Sequence, residues 1–582
     1  MNPTISAGAR ARRVGYKIAF GVTLFASLGV AYAFKTIFAR PGEAALRFVP
    51  ADAMMVGTLD LSPSPAQALA FKHIDDAMDR NGMNRFVETS VLDIFSKKSA
   101  ATDLLRPLVQ RSGAIALLPY KTANGETGGT SGLALIALSS GTEAEAILKK
   151  YGKPTFFRGT KGYTLPGDKS TMMVMDDVLV LGEKPYSLHA ARMVRDGQTP
   201  GILSSEEFQT ARQHVSSDAN VMMFCSPKLL GDTGVAALKD AKASWLGAGL
   251  AIRDGGVGLS VWNRFDPNSV KGLAEFGQTQ AIRRDLFGVL PTGAYGMFAI
   301  SQPGNYFEMF ERSMGQEKDG QQMIADMSKG MHEAIGVDLH KDLVAGLKGN
   351  AVIAAYPAAD GAPEGAEALL VIDDLNGSDP AAVVDRFQAY VDEQMAKEGG
   401  TEKIWVETKS GDNRMFRIAD KMQDEMRKGI GEGMDERSVK KEVLVGKKTI
   451  AWAMVGKAVI ASTNEALLAR AVDSFKNRTS TLSSDARFIK SDSEVMDGSQ
   501  VLAVFNLGRI AEGVKNTIST EKMDKDGAEM FNTVLSAFAN LTDPFYLKAK
   551  VGADGEVASG AFIPLDYDKV FDFIGKEMKG KG

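Results

Sequence analysis

The 582-residue chain holds a single cysteine, Cys225, so no disulfide can form within it and a disulfide-stapled scaffold is excluded. Histidines are almost as scarce. His73, His189, His214, His332 and His340 stand apart, with no H-E-x-x-H pattern and no i, i+4 pair that would place two ligands on one helix face. An excess of one charge sign is also missing. Lys+Arg 68 against Asp+Glu 72 gives a net charge of -4, without the basic excess that a nucleic-acid binder carries. What remains is ordinary for a globular body: 44% hydrophobic and 24% charged residues, in a length that suggests several folding units or two large ones.

Signatures of catalysis are equally sparse. The Gly128–Gly132 stretch GGTSG lacks the spacing of a nucleophile elbow and reads as a flexible turn. Gly429, Gly431 and Gly433 lie in a charged segment without the strand–turn–helix context of a phosphate-binding loop. Asp524, Asp526 and Gly527 resemble part of a calcium loop, but Lys522 and Thr533 occupy positions that would have to supply oxygen ligands. Cys225 sits in the apolar run NVMMFCSP and reads as a buried, inert thiol. The acidic pairs Asp75-Asp76, Asp176-Asp177, Glu206-Glu207 and Asp373-Asp374 are neighbours in sequence; on a strand such neighbours face opposite ways, so they do not converge on a substrate. The 27 methionines read mainly as core filling, with an adaptable apolar groove as the sharper alternative. No catalytic, cofactor-binding or metal-binding residue is assigned, and no cofactor is expected.

The one long uncharged run is near the start. Arg10, Arg12, Arg13 and Lys17 precede Ile18–Phe34, IAFGVTLFASLGVAYAF, which would span about 25 Å as a helix. Cations on its N-terminal side predict a cytoplasmic N-terminus over 1–14, a transmembrane signal-anchor over 15–38, a connector over 39–47 and an exported body. Ala31-Tyr32-Ala33 also fits a cleavage site, which leaves a removable signal peptide as the alternative. The expected location is the inner membrane, single-pass, with the body in the periplasm or cell exterior.

The rest of the chain repeats itself. Val49-Pro50-Ala51-Asp52 opens the strand-like MMVGTLDL, and Leu290-Pro291-Thr292-Gly293 opens YGMFAIS, a lag of 241 between the prolines. Gly113–Tyr120 resembles Asn350–Pro357, and GLALIALSS and ALLVIDDL follow as further strands. A helix comes next in each copy. Thr142 with Glu145 predicts a capping box and Gly152 a C′ residue in the first; Asp379 and Pro380 open the second. Leu203-Ser204-Ser205 with Phe208 matches Leu482-Ser483-Ser484 with Phe488. Asp254-Gly255 and Asp554-Gly555 each predict a closing hairpin turn. The lag grows to about 280 and then 300, so the second copy carries insertions, one charged and near 418–448, the other near 520–543. This alternation predicts two related α+β modules, 48–285 and 286–582, each an antiparallel sheet with helices packed on one face.

Hydrophobic N-terminal segment, then Val49-Pro50-Ala51-Asp52, then a strand from Met55 to Leu61: in this the chain resembles a bacterial group of exported, often membrane-anchored proteins of unknown function, the domain of unknown function thirty-three fifty-two. That resemblance implies an extracytoplasmic protein and carries no catalytic residue. The expected function is a membrane-anchored, non-enzymatic binding or structural module. Its expected partners are the lipid bilayer, through the N-terminal helix, and proteins at the cell envelope, not nucleic acid. An extracytoplasmic hydrolase-like enzyme with residues drawn from distant loops, and a carrier of lipid or apolar ligands, are the alternatives.

Overall fold

The computed structural model describes residues 43–61, 67–82, 100–121, 127–166, 170–215, 218–227, 243–267, 277–314, 347–358, 366–373, 380–397, 405–410, 413–419, 450–477, 481–489, 498–517 and 544–572, apart from a few single positions, and some isolated positions between them. The expected anchor over 15–38, the connector up to residue 42 and nearly all of both insertions lie outside the described residues. No helix among the described residues is long and apolar enough to cross a membrane. The fold is mixed α+β, built on antiparallel sheet.

Two compact units divide the chain. Unit one comprises 1–235, 245–254 and 571–582; unit two comprises 236–244 and 255–570. The sequence places the change of module at 285/286, whereas the division of the fold falls in the Asp254-Gly255 turn, where Gly255 takes the left-handed φ of 78° that the turn requires. The strand after that turn belongs to the ladder of unit two, so the unit boundary comes earlier than the sequence repeat.

In unit one the helix α1 (Glu43–Leu46) leads to β1 (Met55–Asp60). Then follow α2 (Ala68–Arg80), α3 (Ala100–Leu105), β2 (Val109–Lys121), β3 (Thr127–Leu138), α4 (Gly141–Tyr151), β4 (Lys153–Phe157), β5 (Thr160–Thr164), β6 (Thr171–Met175) and β7 (Val178–Gly182). The unit closes with α5 (Pro185–Arg195), α6 (Glu206–His214), β8 (Val221–Cys225) and β9 (Leu246–Arg253). All its ladders are antiparallel, in the order β9-β8-β1-β2-β3-β7-β6-β5-β4.

Unit two begins with β10 (Gly256–Arg264) and continues with β11 (Gly296–Ser301), α7 (Pro303–Met314), β12 (Asn350–Pro357), β13 (Ala366–Ile372), α8 (Pro380–Lys397), β14 (Trp405–Ser410), β15 (Asn413–Ile418), β16 (Ala451–Val455) and β17 (Ala458–Ser462). It ends with α9 (Glu465–Asn477), β18 (Val501–Phe505), α10 (Leu507–Thr517), β19 (Phe545–Val551) and β20 (Glu556–Pro564). Its ladders are again antiparallel, in the order β10-β20-β19-β18-β11-β12-β13-β17-β16-β15-β14. Adding ten to each strand of unit one reproduces the run from β19 to β14.

The ladders also fix the register between the copies. The sequence match sets Gly113 against Asn350, but Asp60 pairs Ser112 and Ser301 pairs Asn350, so Ser112 is the counterpart. A one-residue slip exchanges the two faces of a strand. With the ladder register, buried Ala114, Ala116 and Leu118 correspond to buried Val352, Ala354 and Tyr356.

Helices cover both faces of unit one, not one face as the sequence reading has it. Leu179 and Leu181 share a core with Ala144 and Leu148 of α4 and Ala101 and Leu105 of α3. The next residue, Gly182, faces the other way, and a Cβ there would lie 2.2 Å from Leu188 Cδ1 of α5. The run VLVLG of β7 is buried throughout because it is covered twice. In unit two, Leu467, Leu468, Ala471 and Val472 of α9 pack with Ile460, Ala451 and Ala453, while Ala461, Trp452 and Phe416 form a separate cluster with Trp405.

Local chemistry explains the helix ends. The cap of α4 is Ser140, whose Oγ accepts from Glu143 N at 3.3 Å, two residues before the predicted Thr142–Glu145 box. Gly152 closes α4 in an extended conformation (φ -92°), not a left-handed one. Glycine is needed there for space, since a Cβ would stand 2.7 Å from Leu148 O and 2.8 Å from Tyr163 Cβ. Pro380 opens α8 as expected; Asp379 lies outside the described residues.

Candidate functional site

In both units the chain enters the first strand through the same strut. Val49 O accepts from Ile202 N at 2.7 Å, and Leu290 O accepts from Leu482 N at 3.0 Å. Ile202–Ser204 and Leu482–Ser484 are single 3-10 turns, and Ser204 Oγ and Ser484 Oγ donate back to Gly201 O and Thr481 O, each at 2.7 Å. Ser205 then accepts from Phe208 N, and Asp485 from Phe488 N. The Val-Pro-Ala-Asp and Leu-Ser-Ser motifs thus meet in space and hold Phe208 or Phe488 beneath the first strand, both buried.

Above these phenylalanines the units differ. In unit one Phe224 pairs with Gly247 across β8 and β9, and Phe208 meets Phe224 and Trp245 edge-on at 4.9 and 5.5 Å. Gly247 is required by this packing, because a Cβ would approach Val215 Cγ2 at 2.9 Å and Phe224 Cε1 at 3.2 Å. In unit two the corresponding pair is Val504 with Tyr546. Tyr546 is fully buried and donates its hydroxyl to Phe488 O at 2.9 Å. The register position of Trp245, just before the strand, is held by Pro544. A valine and a proline cover less than a phenylalanine and a tryptophan. A cavity of about 90 Å³ results, lined by Met297, Leu482, Phe488, Val504 and Pro544 below and by Thr292, Gly293, Asp485, Asn506 and Arg509 at the rim.

The rim is set by backbone geometry. Gly293 has φ 101°, a conformation that favours glycine, and its carbonyl accepts from Arg509 Nη1 at 3.3 Å. Asn506 caps α10 by accepting from Arg509 N at 2.9 Å, and its own N–H donates to Tyr295 O. The equivalent backbone bond in unit one runs from Ser226 N to Met54 O. The cavity therefore combines an apolar floor with a guanidinium, a carboxamide, a carboxylate and a helix N-terminus. These are groups that orient a small ligand through hydrogen bonds.

The repeat motifs bring Thr292, Gly293, Leu482 and Phe488 to this site, but none of the cysteine, histidine, glycine-rich or acidic-pair residues weighed for chemistry lines it. Cys225 lies on β8, and burial pushes its thiol up to about 11, which keeps it protonated and unreactive at neutral pH. His189 Nδ1 lies 2.9 Å from Thr160 Oγ1, and burial, then Arg158 and Arg192, lower its pKa. His73 stands 3.6 Å from Asp254 in an open setting, His214 ends α6, His332 is exposed, and His340 lies outside the described residues. The GGTSG stretch is not a turn. It belongs to β3, where Gly132 pairs Leu117 and Ser131 pairs Leu118; pairing with the long β2 overrides the low strand propensity of glycine. Asp177 tethers α4 by accepting from Gly141 N, Asp373 accepts from Asn350 N at 2.8 Å, and Glu206-Glu207 occupy the first turn of α6. Asp75-Asp76 lie within α2; Gly429–Gly433 and Asp524–Gly527 lie outside the described residues. Among the described residues no three His, Cys, Asp or Glu side chains gather where they could hold a metal ion.

The family profile described as "Protein of unknown function (DUF3352)" matches residues 18–406. The chain belongs to the DUF3352 family. Val49-Pro50-Ala51-Asp52, the motif that carries the family resemblance, is the upper half of the strut. No curated protein matches the chain. Two crystal forms of TP0453 align with it, form I at 8% identity and a TM-score of 0.20 and form IV at 7% and 0.22. Each alignment covers 38% of this chain and 78% or 80% of that one. Scores this low leave no shared fold to argue from. Thr292, Gly293, Leu482 and Phe488 stand in the repeat that the sequence shows, whereas Val504, Pro544, Asn506 and Arg509 escaped it; setting Phe224 against Val504 and Trp245 against Pro544 is the signal that would have found the cavity.

Proposed function

We propose that this DUF3352 protein is a membrane-anchored, extracytoplasmic, non-enzymatic binding module that arose by internal duplication. The second copy takes the ligand and the first is a plugged scaffold. The observation that carries the binding role is the contrast at three matched positions: Phe224, Gly247 and Trp245 in one unit, Val504, Tyr546 and Pro544 with a cavity in the other. The common strand order and the repeated strut support the duplication. Arg10–Lys17 ahead of the uncharged Ile18–Phe34 supports the anchor and an exported body. About 90 Å³ is room for a small apolar group. With Arg509 at the rim, the favoured class is a short-chain carboxylate, its tail on Met297 and Val504.

The test is methyl-labelled methionine NMR on the full chain, titrated with hexanoate. Saturable movement of the Met297 methyl that is lost in Val504→Phe supports the reading. An unmoved Met297, or movement that persists in Val504→Phe, contradicts the site. Fractionation tests the location separately: the chain should stay in membranes through an alkaline carbonate wash, and recovery in the soluble fraction contradicts the anchor.

A further inference from the structure

We infer that unit one carries a second, peripheral membrane contact: a basic, aromatic edge formed by the end of α4 and the β4–β5 hairpin, matched to an anionic lipid surface. From Lys149 to Lys161 the sequence reads KKYGKPTFFRGTK, with Lys149, Lys150, Lys153, Arg158 and Lys161 and no acidic residue. β4 is an outer strand, paired only with β5 among the described residues. Phe156 on it is 68% exposed and Tyr151 37%. Phe156 sits directly across from Lys161, so the ring and that cation share one face. Lys150 and Lys161 lie 5.2 Å from the rings of Tyr151 and Tyr163. Acidic groups near this patch are engaged by cations: Glu145 by Lys149 at 2.7 Å, and Asp196 at 3.2 Å by Arg192, which also donates to Gly159 O in the β4–β5 turn.

The choice of lipid over another protein strand follows from β4 itself. Lys153 and Pro154 blunt the edge in the usual way that prevents strand addition. An exposed phenylalanine beside them serves no such protection. An aromatic ring flanked by long cationic side chains suits the boundary between headgroups and acyl chains, where lysine stems lie along the apolar layer and their ammonium groups meet phosphate. The equivalent edge of the other unit is different: on β14 the positions of Pro154 and Phe156 are taken by Glu407 and Lys409, and Glu407 is paired with Arg414.

The entry of the chain agrees with this. Arg47, just past α1, bonds Asp176 at 3.1 Å in the β6–β7 turn. Because β5, β6 and β7 are antiparallel, that turn and the Arg158-Gly159 turn lie at the same end of the sheet, about 10 Å apart at two strand spacings. This geometric support rests on the proposed anchor, whereas the patch rests on residues of unit one alone.

The test reconstitutes the full chain, with Phe156→Trp, into vesicles of phosphatidylcholine alone or mixed with phosphatidylglycerol, doped with bromolipid. Expected is quenching of the new tryptophan, beyond that of the unsubstituted chain, in the anionic vesicles. It should be lost in Phe156→Trp/Lys153→Glu/Lys161→Glu and in about 1 M salt, where screening acts within about 3 Å. Quenching no greater than the unsubstituted chain, or equal in neutral vesicles, overturns the inference. Binding of soluble heparin without quenching in anionic vesicles would mark a general polyanion surface and also overturns it. An alkaline carbonate wash of the same vesicles reports the anchor independently, since a washable chain can still show the quenching.

Discussion

Two units share one strand order, yet they solve the space above a phenylalanine present in both, Phe208 and Phe488, in opposite ways. Unit one stacks Phe224 and Trp245 on Phe208 and gives up a side chain at Gly247. Unit two reverses the sizes across the same pair of strands, Val504 for Phe224 and Tyr546 for Gly247, and keeps a cavity. The cross-strand pair of unit two is the bulkier one, so the loss of volume lies at the outer position, where Pro544 stands for Trp245. The outer position, Trp245 against Pro544, has no compensating partner at its site, and that is where room opens. The lesson is that a duplicated scaffold can be stabilised at a position in one copy and opened at the same position in the other without changing a single ladder.

The comparison can be broken most forcefully at Phe224. Phe224→Ala should cost unit one about 3–5 kcal/mol, the usual loss for a buried phenylalanine. Amide exchange at β8 should show it, with β18 unaffected. Restoring the pattern of unit two, Gly247→Tyr alone should destabilise by about 1–3 kcal/mol through overpacking. In the double variant Phe224→Val/Gly247→Tyr the cost should fall below the sum of the two single changes, a coupling of about 0.5–3 kcal/mol. Additive costs would mean that the two positions do not exchange volume. In unit two, Tyr546→Phe removes the bond to Phe488 O and should cost about 1 kcal/mol, read in denaturant melts. At the strut, Ser205→Ala removes the cap of α6 at about 1 kcal/mol or less.

The smallest expected effect is a pH dependence confined to unit one. Burial, Arg158 and Arg192 lower the folded pKa of His189 below its ordinary 6.5. The folded state therefore binds fewer protons than the unfolded one, and stability falls as pH drops below about 6.5. His189→Asn should flatten that slope, with chemical melts at several pH values as the measurement.

Much of the fold was legible because periodicity and turn chemistry agree with it. The Asp-Gly turns, the Pro50 and Pro291 entries and the Leu-Ser-Ser–Phe match all mark real counterparts, since each serves a backbone geometry that both copies need. The register of Gly113 was misread by one residue because a run of small apolar residues looks alike when shifted; the ladder, not the side chains, decides it. Helix coverage on both faces was missed although VLVLG in β7 carried the signal. The candidate site was hidden for a physical reason. A cavity is a deficit of volume, so it appears only when Val504 and Pro544 are set beside Phe224 and Trp245 in the correct register.

Xenon under pressure tests the central contrast most directly, because it settles in apolar cavities regardless of the natural ligand. Crystals of the chain should show a xenon atom beside Met297 and Val504 and none beside Phe224 and Trp245. Xenon in neither place, or equally in both, would contradict the account.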